Sequence, residues 1–188
     1  MIKRFNLYKE HPFKVESNLK MIYLWPMHMK HIATKKVSQE KLIAELASGS
    51  RCLALIKDKA IVSYLWYDIR TIKYYGIRRP LGKGEVYFYS AETRPDMRGQ
   101  GYASILRSKA YELLGANTYY SITDANNESA LRLKSRIGAE LIETFTYIKL
   151  WKFKRLFNKE IKRKFVKDEE SGKKSNEEAC KVCEKGCN

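Results

Sequence analysis

Residues 85–106 read EVYFYSAETRPDMRGQGYASIL, and no other stretch restricts the folding of this chain as tightly. The run from Glu85 to Thr93 is dense in aromatic and β-branched side chains, the composition of a strand. From Tyr102 onward Ile105, Leu106, Ala110, Leu113 and Leu114 recur at helical spacing, and Gly115 follows as a stop. Between strand and helix, Gly99 and Gly101 flank Gln100. A strand that turns into a helix through glycines leaves consecutive backbone N–H groups at the helix N-terminus, where the helix dipole favours negative charge. Glycine also tolerates positive φ and puts no Cβ between the main chain and a ligand. The stretch therefore predicts a phosphate-binding turn. Two familiar phosphate loops do not fit. Gly-x-x-x-x-Gly-Lys-Ser/Thr is absent, and a dinucleotide fingerprint would need glycine where Ser104 stands, within repeated βαβ units.

Around this centre the pattern is mixed. MIKRFNLYK reads as a first strand, VESNLKMIYL and SQEKLIAELASG as helices, the second capped by Ser38 and ended near Gly49. RCLALIKDKAIVSYLWYDI has the form of a hairpin turning at KDKA, and GIRRPLGKG reads as a loop. After the central helix come a strand (YYSITD), a short helix (ESALRLKSRIG) and one or two strands (AELIETFTYIKLW). With 188 residues, 44% of them hydrophobic, the chain suits one domain, expected over 1–150. The longest apolar run, MIYLWPM, is far below the roughly 20 residues that span a bilayer, so the protein reads as cytoplasmic or peripheral to a membrane.

The pattern Arg/Gln-x-x-Gly-x-Gly/Ala is met by Arg98-Gly99-Gln100-Gly101-Tyr102-Ala103, with Pro95 leading in. Further on, Asn127, Ala130, Leu133 and Gly138 fall in place as an Asn-x-x-Ala segment before a glycine that ends a short helix. On these residues the chain resembles the GNAT superfamily of acyl-coenzyme A dependent N-acyltransferases, over roughly 51–150. The resemblance implies an α/β (α+β) fold, in which a mixed, mostly antiparallel sheet splays into a V between flanking helices. It also implies acetyl-CoA or another acyl-CoA as co-substrate, no metal, and acetyl transfer to a primary amine. By that likeness the amides of Arg98, Gly99, Gln100, Gly101, Tyr102, Ala103 and Ser104 hold the pyrophosphate. The edge of Ala91, Glu92 and Thr93 takes the pantetheine arm as an added strand, and Asn127 bonds the cofactor near its thiol. Arg94 and Arg107 stand close to the turn in sequence.

The proton-transfer residues depart from the family. Where relatives carry a catalytic carboxylate this chain has Tyr87 or Ile122, which leaves Glu85 and Glu92 as candidate bases. Lys134 stands where many relatives place the tyrosine that protonates the thiolate, so it is the candidate acid. The run of tyrosines from Tyr64 to Tyr89 is left unassigned, and His11, His28 and His31 read as ordinary surface or helix residues.

The end of the chain changes character. Residues 151–167 carry eight Lys/Arg against the single Glu160, with Phe153, Phe157, Ile161 and Phe165 at steps of four, which predicts a basic amphipathic helix. Residues 168–188 read as a charged, disordered tail in which Cys180, Cys183 and Cys187 lack a fourth metal ligand. A net charge of +16 favours an anionic partner. The acceptor is therefore expected to be a small molecule or a glycan or lipid amine, with peripheral membrane contact through 151–167 and nucleic acid disfavoured. The competing readings are a longer-chain acyltransferase at the membrane and a non-catalytic GNAT-like module that binds an anionic surface.

Overall fold

The computed structural model describes residues 1–34, 37–150 and 153–164. In chain order its regular elements are β1 (Ile2–Glu10), β2 (Lys20–Tyr23), α1 (Gln39–Ala47), β3 (Arg51–Lys57), β4 (Ala60–Asp68), β5 (Thr71–Tyr74) and β6 (Ile77–Pro80). They continue with β7 (Glu85–Thr93), α2 (Tyr102–Leu114), β8 (Thr118–Asp124), α3 (Glu128–Arg136), β9 (Glu140–Leu150) and β10 (Phe153–Lys164). Eight strands form one sheet in the order β10-β9-β1-β8-β7-β4-β3-β2, while β5 and β6 pair separately. Neighbours run antiparallel except β7 and β8, which are parallel because α2 carries the chain back between them. Among the described residues no helix is long and apolar enough to cross a membrane.

Local chemistry explains the hairpins. Asp58 and Lys59 both take positive φ (49° and 64°), as do Tyr75 and Gly76 (40° and 89°). Two-residue turns of that hand match the twist of the strands they join. One face of the sheet packs Leu53, Leu65, Val86, Phe88 and Tyr119 against Leu106, Ala110 and Tyr111 of α2. On the same face α3 covers Tyr8 and Leu141. The opposite face is covered by α1 over Cys52, Ala54 and Trp66, and by the β5–β6 hairpin over Phe5, Tyr87, Tyr120 and Phe145.

Three expectations change. The predicted helix over 15–24 is extended chain ending in β2, because β3 offers an edge that Lys20–Tyr23 pairs. Its start is tied to α2 by Val15 N–H donating to Ser108 Oγ (2.8 Å) and Lys109 Nζ donating to Ser17 O (2.9 Å). Part of the predicted GIRRPLGKG loop is strand β6, whose final residue, Pro80, needs no donor there. The predicted amphipathic helix at 151–167 is a strand over Phe153–Lys164 that pairs along β9, so the sheet continues past residue 150. A spacing of four is commensurate with a period of two as well as 3.6, so the apolar pattern in the sequence suits a strand as well as a helix. The unpaired edge of β9 decides between the two periods. The tail at 168–188, with its three cysteines, lies outside the described residues.

Leu106, at 1% exposure, is the centre of the α2 contact. Leu106→Ala is expected to lower stability by about 3 kcal/mol, read as a drop in the urea midpoint with an unchanged slope.

Candidate active site

Register defines the opening in the sheet. β7 and β8 pair from Glu85↔Thr118 to Phe88↔Ser121 and then part. β8 continues along β1 to Phe5↔Asp124, while β7 continues along β4 to Ser63↔Thr93. The edge of β7 beyond Phe88 thus faces a V instead of a strand. A bulge lies within it. Tyr89 pairs Trp66 and Glu92 pairs Tyr64, so Ser90 and Ala91 oppose the single residue Leu65, and Ser90 takes φ 45°. Ala91 and Glu92 are exposed along this edge, as an added extended ligand would require.

The chain leaves the V through the glycine turn. Gly99 and Gly101 hold φ of 80° and 79°, and a Cβ built at either meets nothing within 4 Å. Glycine is needed there for conformation, and the space before the turn is open. Gly101 caps α2 by accepting from Ser104 N–H (2.9 Å) and Ile105 N–H (3.0 Å). The N–H groups of Gly99, Gln100, Gly101, Tyr102 and Ala103 meet no acceptor among the described residues. The Ser104 hydroxyl, one turn into the helix, is buried and also unpartnered. The turn is clamped from the side by Lys57 Nζ, which donates to the Tyr102 hydroxyl (2.8 Å), which donates to Gln100 Oε1 (3.1 Å). Five outward donors, an unpaired hydroxyl and a helix dipole fit a pyrophosphate.

The arginines are placed differently from their sequence neighbourhood. Arg98 donates to Thr93 O (3.1 Å) and lies 3.8 Å from Glu92. Arg94 is paired to Asp96 at 2.7 Å, and Arg107 points into the core onto Glu10 at 2.9 Å. Asn127 caps α3 by accepting from Ala130 N–H (3.1 Å), which leaves its amide N–H groups for another partner.

The three catalytic candidates also disperse. Glu85 sits at the closed end of the β7–β8 pair, where Gly82 N–H (2.8 Å) and the Tyr120 hydroxyl (3.1 Å) donate to it. Five residues of strand, about 16 Å, separate it from the bulge. Glu92 lies on the V edge and accepts from the Tyr64 hydroxyl at 2.8 Å. Lys134 is 1% exposed and donates to Glu10 and to Ser121 Oγ (2.6 Å), so its ammonium faces the core and not the V. Sequence reasoning predicted neither the Glu10 cluster nor Glu45. Glu45 of α1 accepts from the Tyr89 hydroxyl at 2.7 Å, on the face of the V opposite α2. The signal for Glu45 is weak because its partner is 44 residues away. Tyr89 in turn stacks on Tyr87, with centroids 5.3 Å apart and planes 12° apart.

The Glu10 cluster lies beneath the middle of α2, where Arg107 and Tyr111 reach Glu10. Burial alone would raise the Glu10 carboxyl, but the Arg107 guanidinium and Lys134 ammonium more than offset it and hold it at about 2. Burial, with Arg107 beside it, pushes the Lys134 ammonium down to about 8 despite Glu10. The Tyr111 hydroxyl donates to the same carboxylate. No group of three or more His, Cys, Asp and Glu side chains arranged to hold a metal occurs among the described residues.

Comparison with solved structures finds the same overall fold. A protein assigned to the GNAT acetyltransferases from Novosphingobium aromaticivorans superposes with a TM-score of 0.57 at 15% identity, over 86% of this chain and 66% of that one. A conserved protein of unknown function from Staphylococcus epidermidis gives 0.60 at 9% identity, over 85% and 62%. The PaiA N-acetyltransferase of Thermoplasma acidophilum, solved with coenzyme A, gives 0.50 at 10% identity, over 77% of this chain and all of that one. The chain therefore has the GNAT fold, and spans about two thirds or less of the first two structures. No protein-family model and no curated protein sequence matches it.

Because the folded-state value of Glu10 is depressed from 4.5 to about 2, its contribution is fully present above about pH 4.5 and is lost as pH falls toward 2. Urea midpoints measured from pH 7 to pH 3 should fall over that window. In Glu10→Gln, which strands two buried cations at a cost of about 3–5 kcal/mol, the midpoint should be low throughout and flatter with pH.

Proposed function

We propose that the protein is an acyl-coenzyme A dependent N-acyltransferase that transfers acetyl to a primary amine. The observation that carries this reading is the open row of N–H donors from Gly99 to Ala103, set at the end of a strand whose edge is left unpaired by the splay. The amides of 99–103 and the Ser104 hydroxyl would bind the pyrophosphate, and Ala91–Thr93 would bind the pantetheine arm through main-chain bonds. The amide of Asn127 would bond nearer the thiol. Bound there, the co-substrate supplies an acyl group as a thioester.

Two residues of this chain suit the amine side. The Tyr89 hydroxyl and the Glu45 carboxylate lie on the face opposite α2, joined to each other at 2.7 Å and to the bulge through the Tyr89 backbone. An amine arrives as an ammonium, which a carboxylate attracts and the tyrosine faces accommodate. The Glu45 carboxylate, whose Oε1 accepts from Tyr89 and from Ser50 Oγ (3.1 Å), is the base that takes the proton the amine must lose. Glu92, on the edge itself, is held by Tyr64 and by the Arg98 charge and serves to fix Arg98 beside the turn. Lys134 acts through Glu10 by positioning α3, and with it Asn127.

Titration of the intact chain with acetyl-CoA in a calorimeter tests the cradle, and turnover with a panel of amines tests the chemistry. Gly101→Val forces a branched side chain into left-handed backbone, at a cost of about 1–2 kcal/mol that should lower the melting temperature by a few degrees, and should weaken acetyl-CoA binding about tenfold or more. Glu45→Gln should leave that binding intact and lower kcat by a factor of about a hundred or more. Equal acetyl-CoA binding by wild type and Gly101→Val would exclude the cradle.

A further inference from the structure

The wing of the sheet formed by β1, β9 and β10 carries a surface that the acyltransferase reading leaves unused. On its α2 face, α3 covers the end with Tyr8 and Leu141. Beyond that end, registered rows cross the three strands: Ile2 beside Ile148 beside Arg155, then Arg4 and Phe157 flanking a threonine, then Lys159 beside a threonine and an asparagine. Ile2 is 66% and Phe157 47% exposed, and Arg4, Arg155 and Lys159 are exposed as well. No Asp or Glu stands in these rows. The nearby carboxylate Glu143 belongs to the other face, where it accepts from Asn158.

We infer that this face docks on an anionic lipid surface. Three cations among exposed apolar side chains, with no carboxylate between them, match a bilayer whose headgroups are negative and whose underlying layer is apolar. Besides Arg155 and Lys159, the sequence 151–167 carries six more Lys/Arg against one Glu. A single-stranded nucleic acid offers similar phosphates, but sheets that bind it stack two or three bases on as many aromatic rings. In these three rows Phe157 is the one aromatic ring, and the Arg155 guanidinium already lies over it, 5.5 Å from its centroid. Ile2 and Phe157 instead suit insertion at the headgroup boundary, with Arg4, Arg155 and Lys159 at the phosphates.

Sedimentation of the full chain with vesicles tests this, using phosphatidylcholine alone and phosphatidylcholine with about 30% phosphatidylserine, at about 0.1 M salt. Binding is expected only to the anionic vesicles. Arg4→Ser and Arg155→Ser should each weaken it about fivefold, and Phe157→Ser should weaken it further, with unchanged melting temperature and unchanged acetyl-CoA titration. Lys20→Ser, on β2 at the opposite edge of the sheet, serves as the control of equal charge and should bind as wild type. Equal binding to both vesicle types, an equal loss in Lys20→Ser, or unaltered binding by the wing variants would overturn the inference. So would tight binding of a single-stranded RNA that the Phe157→Ser substitution abolishes. None of these outcomes depends on whether the protein transfers acyl groups.

Discussion

Glu10 ends β1 with a carboxylate that is wholly buried and shared by Arg107 and Tyr111 of α2 and Lys134 of α3, while Lys134 also reaches Ser121 of β8. Ser121 belongs to the last residue pair before β7 and β8 separate. The cluster therefore ties both helices to the sheet at the apex of the V. A buried ion cluster of this kind is a weak source of net stability, since desolvation offsets much of the attraction. Its hydrogen bonds are directional, however, and apolar contacts are not. They fix how α2 and α3 are rotated about their own axes, and hence where the amides of 99–103 and the side chain of Asn127 point. Apolar packing through Leu106 and Ala110 presses α2 onto the sheet without specifying that rotation.

An unpaired edge inside an eight-stranded sheet would ordinarily be filled, because backbone donors and acceptors left without partners are costly. Here the splay opens that edge, with Ala91 and Glu92 exposed along it and Thr93 O taken by Arg98. The bulge that accompanies it places Ser90 in left-handed backbone, a conformation worth about 1–3 kcal/mol of strain in a residue with a side chain. Its neighbours hold it there. Tyr89 is fixed on one side by stacking on Tyr87 and by Glu45, and Glu92 on the other by Tyr64. Strain maintained from both sides at the mouth of a V is consistent with a backbone preorganised for a ligand.

The strand, turn and helix at 85–114 were legible in the sequence because each depends on short-range chemistry: β-rich composition, two glycines at positive φ, and apolar spacing. The hairpin at residues 51–68 was legible for the same reason. What the sequence concealed depends on partners far along the chain. Whether 153–164 is helix or strand is decided by the vacant edge of β9, and whether 20–23 pairs is decided by that of β3. Lys134 looks like a surface helix residue or a thiolate partner until Glu10, 124 residues away, is placed against it. Glu45 and Tyr89 likewise meet only in three dimensions.

The same long-range pairing explains where the charge goes. Of the arginines close to the turn in sequence, Arg107 is spent on Glu10 and Arg94 on Asp96, and Arg98 leans on Thr93 O and Glu92. What remains facing the open space is main chain, with Arg98 beside it. A site made of neutral N–H dipoles recognises a phosphate by geometry over a few ångströms, whereas surface cations act across a Debye length and are screened by salt. The net charge of +16 is therefore not a property of the cradle. It belongs in part to the β1–β9–β10 wing, where Arg4, Arg155 and Lys159 stand on an exposed face without acidic partners in their rows. One chain thus presents two anion-attracting regions of different physics, a short-range one in the V and a long-range one on the sheet's far edge.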